Sequence, residues 1–200
     1  MRLQPGLWTL VWVALLVPVN VVQAQTQGEL LDVRLESQDG YWQVAAQARL
    51  ELGPAVQEAL IKGVPVHFVA QLDVVRERWY WTDRTVVQAS RYFRLAYQPL
   101  TRKWRLNMAS EPLSSTMLAA SLSQSFDTLA EALAPMRRLA GWKVAEARQL
   151  EPGTRYAVEY RFRLDAQQLP RPFQFGTASQ ADWDLSLVRR FRLQPPAHGA

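Results

Sequence analysis

Apolar and polar positions alternate along most of the chain. In "YAVEYRFRL", Tyr156, Val158, Tyr160, Phe162 and Leu164 fall on one side, and Ala157, Glu159, Arg161 and Arg163 on the other. Successive side chains of a strand point to opposite faces, so this spacing predicts a half-buried strand. The same pattern predicts strands at 29–36, 41–51, 65–77, 84–97, 102–108, 142–149 and 183–193, with turn chemistry at Asp39-Gly40, Gln98-Pro99 and Pro152-Gly153. About eight strands at such short spacing predict a mainly β domain, an antiparallel β-sandwich or open barrel with two short helices.

The helices are the places where the period changes. "GPAVQEALIKG" carries Pro54 at its start and Gly63 just past its end, the asymmetry of a short helix. "SFDTLAEALAPMRRLAG" predicts a helix over 125–140, capped by Ser125, kinked or broken at Pro135 and ended by Gly141. The Ser-rich stretch 109–124 reads as a loop, and residues 195–200 as a disordered tail.

The first 24 residues follow a different logic. Arg2 precedes an apolar run from Leu7 to Val19, and Val22-Gln23-Ala24 has small residues at its outer positions. That is the pattern of a secretory signal peptide cleaved after Ala24, an uncleaved anchor being the other reading. A single β-rich domain over 25–194 remains, long enough to bury a core without staples. The absence of cysteine in the sequence excludes disulfides, thiolate metal sites and thiol chemistry. A formal net charge of +5 suits anionic partners. Export argues against nucleic acid and leaves peripheral membrane contact open.

Register arguments direct the charge to one face. Phe93, Leu95 and Tyr97 share a side of one strand, and Trp104, Leu106 and Met108 a side of the next. A loop at 98–101 pairs Tyr97 with Arg102 and Leu95 with Trp104, which sets Arg94 directly opposite Arg105. Like charges so placed repel by tenths of a kcal/mol to about 1 unless an anion covers them. Between Asp83 and Glu111 the sequence has no acidic residue to do so. Continuing the preceding strand through "RERWYWTDRTV" puts Trp79 and Trp81 on the same outer side. The candidate binding surface is therefore Trp79, Trp81, Tyr92, Arg94, Lys103 and Arg105. Its aromatic part is either covered by the domain's own helix or second sheet, or kept for a partner.

Catalytic and metal chemistry find little purchase. His67 and His198 have no ligand spacing, and Asp182 and Asp184 of "DWD", read as one side of a strand, are too few for a hard metal. No nucleophile elbow, phosphate loop or zinc-helix motif occurs. The expectation is no catalytic residue, no metal and no cofactor. "LDAQQLPRPFQF" is stiffened by Pro170 and Pro172 and reads as an edge-covering crossover, with partner docking as its alternative.

"RERWYWTDRTV", "YFRLAYQPLTRKWRL", "SFDTLAEAL", "YRFRLDAQQLPRPFQF" and "DWDLS" together resemble the family called domain of unknown function 4390, exported proteins of Gram-negative bacteria often labelled proline-rich signal peptide proteins. The resemblance implies a periplasmic location and no activity. Members are said to be encoded beside a membrane sensor kinase of the nitrogen-regulation type. The expectation is thus a non-enzymatic periplasmic binding domain. Its partner would be an envelope protein such as the sensory part of that kinase, or, alternatively, an anionic lipid head group or envelope glycan.

Overall fold

The computed structural model describes residues 28–77, 84–113, 118, 121–170 and 180–196. The leader and the aromatic run at 79–81 lie outside them. Among the described residues, β1 (Gly28–Gln38), β2 (Tyr41–Leu50) and β7 (Arg138–Glu146) form one sheet in the order β1-β2-β7. The second sheet has the order β6-β5-β4-β3-β8-β9. Its strands are β3 (Val66–Arg76), β4 (Arg84–Gln98), β5 (Lys103–Ala109), β6 (Leu122–Phe126), β8 (Tyr156–Leu164) and β9 (Ser186–Leu193). All pairings are antiparallel and neither sheet closes into a barrel.

The core forms where the apolar sides meet. Val44 and Trp142 come from the smaller sheet, and Phe68, Leu72, Phe93, Leu95, Leu106 and Phe162 from the larger. All eight strands expected from alternation are present. The β1–β2 hairpin turns at Asp39 and Gly40, both with positive φ, as a tight hairpin with matching twist requires. The helix α1 (Pro54–Ile61) buries Val56, Ala59 and Leu60. The helix α2 (Leu129–Arg137) adds Ala132, Leu133 and Met136 to the same core, and Arg137 ties its end to the carbonyl of Leu50 at 2.8 Å.

Three expectations are corrected. The second helix does not start at Ser125, which lies in β6 opposite Arg105. Thr128 caps it instead: Glu131 N donates to Thr128 Oγ1 at 3.2 Å, and Thr128 N donates to Glu131 Oε2 at 3.2 Å. This reciprocal pair satisfies two otherwise unpaired donors and outcompetes the lone serine. Pro135 falls in the last turn, and β7 starts at Arg138 rather than at 142. Gly141 therefore ends no helix. It sits inside β7 with φ 62°. There the pairing slips between Val44↔Trp142 and Ala46↔Leu139, a bulge that a residue without Cβ accommodates.

The third correction concerns "DWD". It is not a strand segment: Asp182 belongs to the short helix α3 (Gln180–Trp183), and β9 begins only at Ser186. Asp182 Oδ2 accepts from Ala55 N at 3.0 Å, giving the first turn of α1 a capping carboxylate from 127 residues away. Gly53 permits the approach, since a Cβ there would lie 2.8 Å from the Asp182 side chain. Asp182→Ala is expected to cost about 1 kcal/mol, within the range for losing a helix cap. Asp182→Asn should restore most of it, and urea midpoints of the two variants check both.

Candidate functional site

The outer side of the larger sheet is built by the residues that alternate with the core. On β4 these are Tyr92, Arg94 and Ala96, on β5 Lys103, Arg105 and Asn107, and on β3 His67 and Val69. Tyr92, Arg94, Lys103 and Arg105 therefore share one face. Trp79 and Trp81 lie outside the described residues.

The pairing within that face differs from the expected one. Tyr97 faces Trp104 and Leu95 faces Leu106, because the loop occupies 99–102 and Arg102 leaves the ladder with φ 52°. Arg94 consequently faces Asn107 on one side and His67 on the other, while Arg105 faces Ala96 and Ser125. Arg94 and Arg105 are diagonal neighbours rather than a direct pair. The repulsion survives this change: burial and then the Arg105 charge hold the Arg94 guanidinium below its ordinary range.

Charge on this face is neutralised unevenly. On the β8–β9 half, Glu159 is shared by Arg161 and Arg190, the latter at 2.5 Å. Arg192 meets Glu77 at 3.1 Å, and Arg163 meets Asp165 at 3.8 Å. The hydrogen bond from Arg190 leads the influences that keep the Glu159 carboxyl below its usual range. On the β4–β5 half, Lys103 is paired with Asp127. Among the described residues no carboxylate pairs with Arg94 or Arg105. A groove of about 460 Å³ lies on the paired half, with Asp73, Glu77 and Glu159 along it and Val75 and Ala157 among its apolar lining.

His67 and Asn107 are the residues to which sequence reasoning gave no role, His67 as a lone strand histidine and Asn107 as a bystander on the outer face. They are only 9% and 4% exposed. His67 Nδ1 and Asn107 Oδ1 are the two buried side-chain polar atoms without a hydrogen-bond partner among the described residues. Asn107 Nδ2 donates to Ser121 Oγ at 2.9 Å, which donates onward to the Leu118 carbonyl at 2.7 Å, so the amide orientation is fixed and its oxygen is left over. Burial first, and Arg94 second, lower the His67 pKa below its usual value, against a smaller opposing pull from Asp165. The only available signal was parity: His67, Arg94 and Asn107 all alternate out of the core side.

No group of three or more metal-ligating side chains occurs among the described residues. No helix among them is long and apolar enough to cross a membrane.

The two sheets and their half-neutralised basic face define an antiparallel β domain that presents charge on one outer surface. The chain belongs to the family described as Domain of unknown function (DUF4390), whose family model matches residues 25–194. No curated protein and no solved structure matches the chain significantly.

Proposed function

We propose that the chain is an exported, non-enzymatic binding domain of the periplasm whose β4–β5 outer face docks an acidic protein partner of the envelope. One observation carries this reading. Arg94 and Arg105 stand as diagonal neighbours with no carboxylate among the described residues, whereas the arginines on the other half of the same face have one. Two such charges diagonal on a sheet repel mildly until an anion arrives. Tyr92 beside them supplies the aromatic contact that interfaces favour. Lys103, already paired with Asp127, is a rim residue whose exposed ion pair is worth little. Two carboxylates of the groove support a non-catalytic reading: Glu77 and Glu159 are occupied by arginines, and Glu159, held below its usual range, is a poor proton donor at neutral pH.

The sensory part of a membrane kinase encoded beside family members is the first partner to test. Arg94→Glu with Arg105→Glu should weaken its capture at least ~30-fold, the scale of losing charged contacts at an interface core. The melting temperature should stay near that of the parent. Capture equal to the parent's removes the proposal, and Arg105→Glu alone guards against misfolding because Arg105 is exposed. An anionic lipid head group or envelope glycan is the second reading. It is favoured by the burial of Arg94 between two polar residues, a setting suited to a small anion.

A further inference from the structure

His67, Arg94 and Asn107 occupy one row across three adjacent strands, with Arg94 in the middle. Neighbouring strands lie about 4.8 Å apart, so His67 and Asn107 stand on either side of Arg94 with their backbones roughly 10 Å apart. The two orphaned buried atoms of the described residues are the two that flank it. Buried polar atoms in native proteins are nearly always satisfied, and each exception calls for an explanation. Here two exceptions coincide with an arginine that no carboxylate among the described residues pairs. Val69 and Ala96 on the same side are buried outside the core between the sheets, which lowers the local dielectric and strengthens any polar contact made there. Arg94 is partly buried, and of the three residues it is the one through which solvent reaches the row, His67 and Asn107 being covered.

The chemistry of the three groups selects a ligand. Arg94 offers only donors and a positive charge, and it demands anionic oxygen. Asn107 Oδ1 offers only lone pairs and demands a donor. His67 Nδ1, on an imidazole that burial keeps neutral, can give or take a proton in a hydrogen bond according to its tautomer. Asp165, beyond His67, is engaged by Arg163 and by Gln168 Nε2 at 3.0 Å. An oxyanion bearing its own O–H meets all three demands. We propose that the row His67–Arg94–Asn107 is a binding site for a protonated phosphate, either free phosphate or the monoanion of a phosphate monoester, which it distinguishes from sulfate and from phosphodiesters through the Asn107 carbonyl. This goes beyond the docking of a protein partner, since it adds the covered atoms of His67 and Asn107 to Arg94 and does not use Arg105.

Thermal unfolding of the purified protein in phosphate and in sulfate at matched ionic strength tests it. For a dissociation constant of about 1 mM, 10 mM phosphate raises the Tm by roughly 3–6 °C, because only the folded chain binds. Sulfate, which keeps no O–H at neutral pH, should give no comparable shift. Asn107→Asp, which sets a carboxylate against the anion, and Arg94→Met should each abolish the phosphate shift. Arg94→Met keeps the conclusion testable if the aspartate variant does not fold. Equal shifts in the two anions, or a full phosphate shift in Arg94→Met, would overturn the proposal. Vesicles of phosphatidylcholine doped with phosphatidic acid or with phosphatidylglycerol separate the sources. Sedimentation with the former alone identifies a membrane monoester. Sedimentation with neither, alongside a phosphate shift, identifies a soluble one. Equal sedimentation with both shows unspecific charge attraction and also overturns it. A phosphate shift that persists in Arg105→Glu while partner capture is lost separates this site from the docking surface.

Discussion

Phe162→Ala is expected to lower the unfolding free energy by about 3–5 kcal/mol, the range for deleting a fully buried phenyl ring. Phe162 is 3% exposed. It stacks on Phe68 with centroids 5.9 Å apart and meets Phe93 at 6.2 Å in a tilted arrangement, joining three adjacent strands of the larger sheet. Its partners are held by the ladder, Phe68 facing Phe93 on one side and Leu164 on the other, so they cannot close the cavity without breaking register. At roughly 2–4 °C per kcal/mol for a domain of this size, the Tm should fall by about 6–20 °C. Urea unfolding should show a lower midpoint with an unchanged slope. Leu122→Ala, at a position 59% exposed, serves as control and should stay within about 0.5 kcal/mol of the parent. A loss below about 1 kcal/mol at Phe162 would mean that the sheets do not pack there as described.

The same burial explains why so much of the fold could be read from alternation. A strand with one side in the core repeats its apolar residues every second position, as β8 does from Tyr156 to Leu164, and the buried residues are the expected ones. β6 escaped because "LSQSF" is a short polar edge strand with no side that must be hidden. Register was legible only in part. A slip of two residues leaves every side chain on its own face, so apolar matching between β4 and β5 accepts both Leu95 with Trp104 and Leu95 with Leu106. The left-handed Arg102 decides between them, and the sequence carries no strong signal for it.

The candidate site inherits that limit. Tyr92, Arg94, Lys103 and Arg105 were assigned one face by parity, and the structure brings them to one face. The neighbours of Arg94 depend on the absolute register, and a two-residue error exchanged Asn107 for Arg105. His67 looked like a lone histidine because its proximity to Asn107 runs through β4, across 40 positions of sequence. Neither residue belongs to a motif. Their significance lies in two unpaired atoms, which become visible only when every other partner has been placed.

Arg91 shows the converse case, a charge where alternation demands an apolar residue, and it leads to the second large effect. Arg91 has the parity of Phe93 and Leu95 and points between the sheets. Its guanidinium lies 5.3 Å from the centroid of the Trp142 ring, which β7 supplies from the opposite sheet. Burial lowers its pKa, and among the described residues no carboxylate pairs with it. The indole face is then the element that makes the charge tolerable, since a partly desolvated cation over Trp gains about 1–2 kcal/mol. Trp142, 3% exposed, also packs in the core, so Trp142→Ala should cost about 3–5 kcal/mol. A double-mutant cycle separates the two contributions. Arg91→Met in the parent removes both a desolvated charge and its ring contact, and the two nearly cancel. In a Trp142→Leu background the ring contact is already gone, so the same substitution should stabilise, giving a coupling of about 1–2 kcal/mol. Zero coupling would show that Arg91 reaches solvent past the indole and that the sheets are joined there by apolar packing alone.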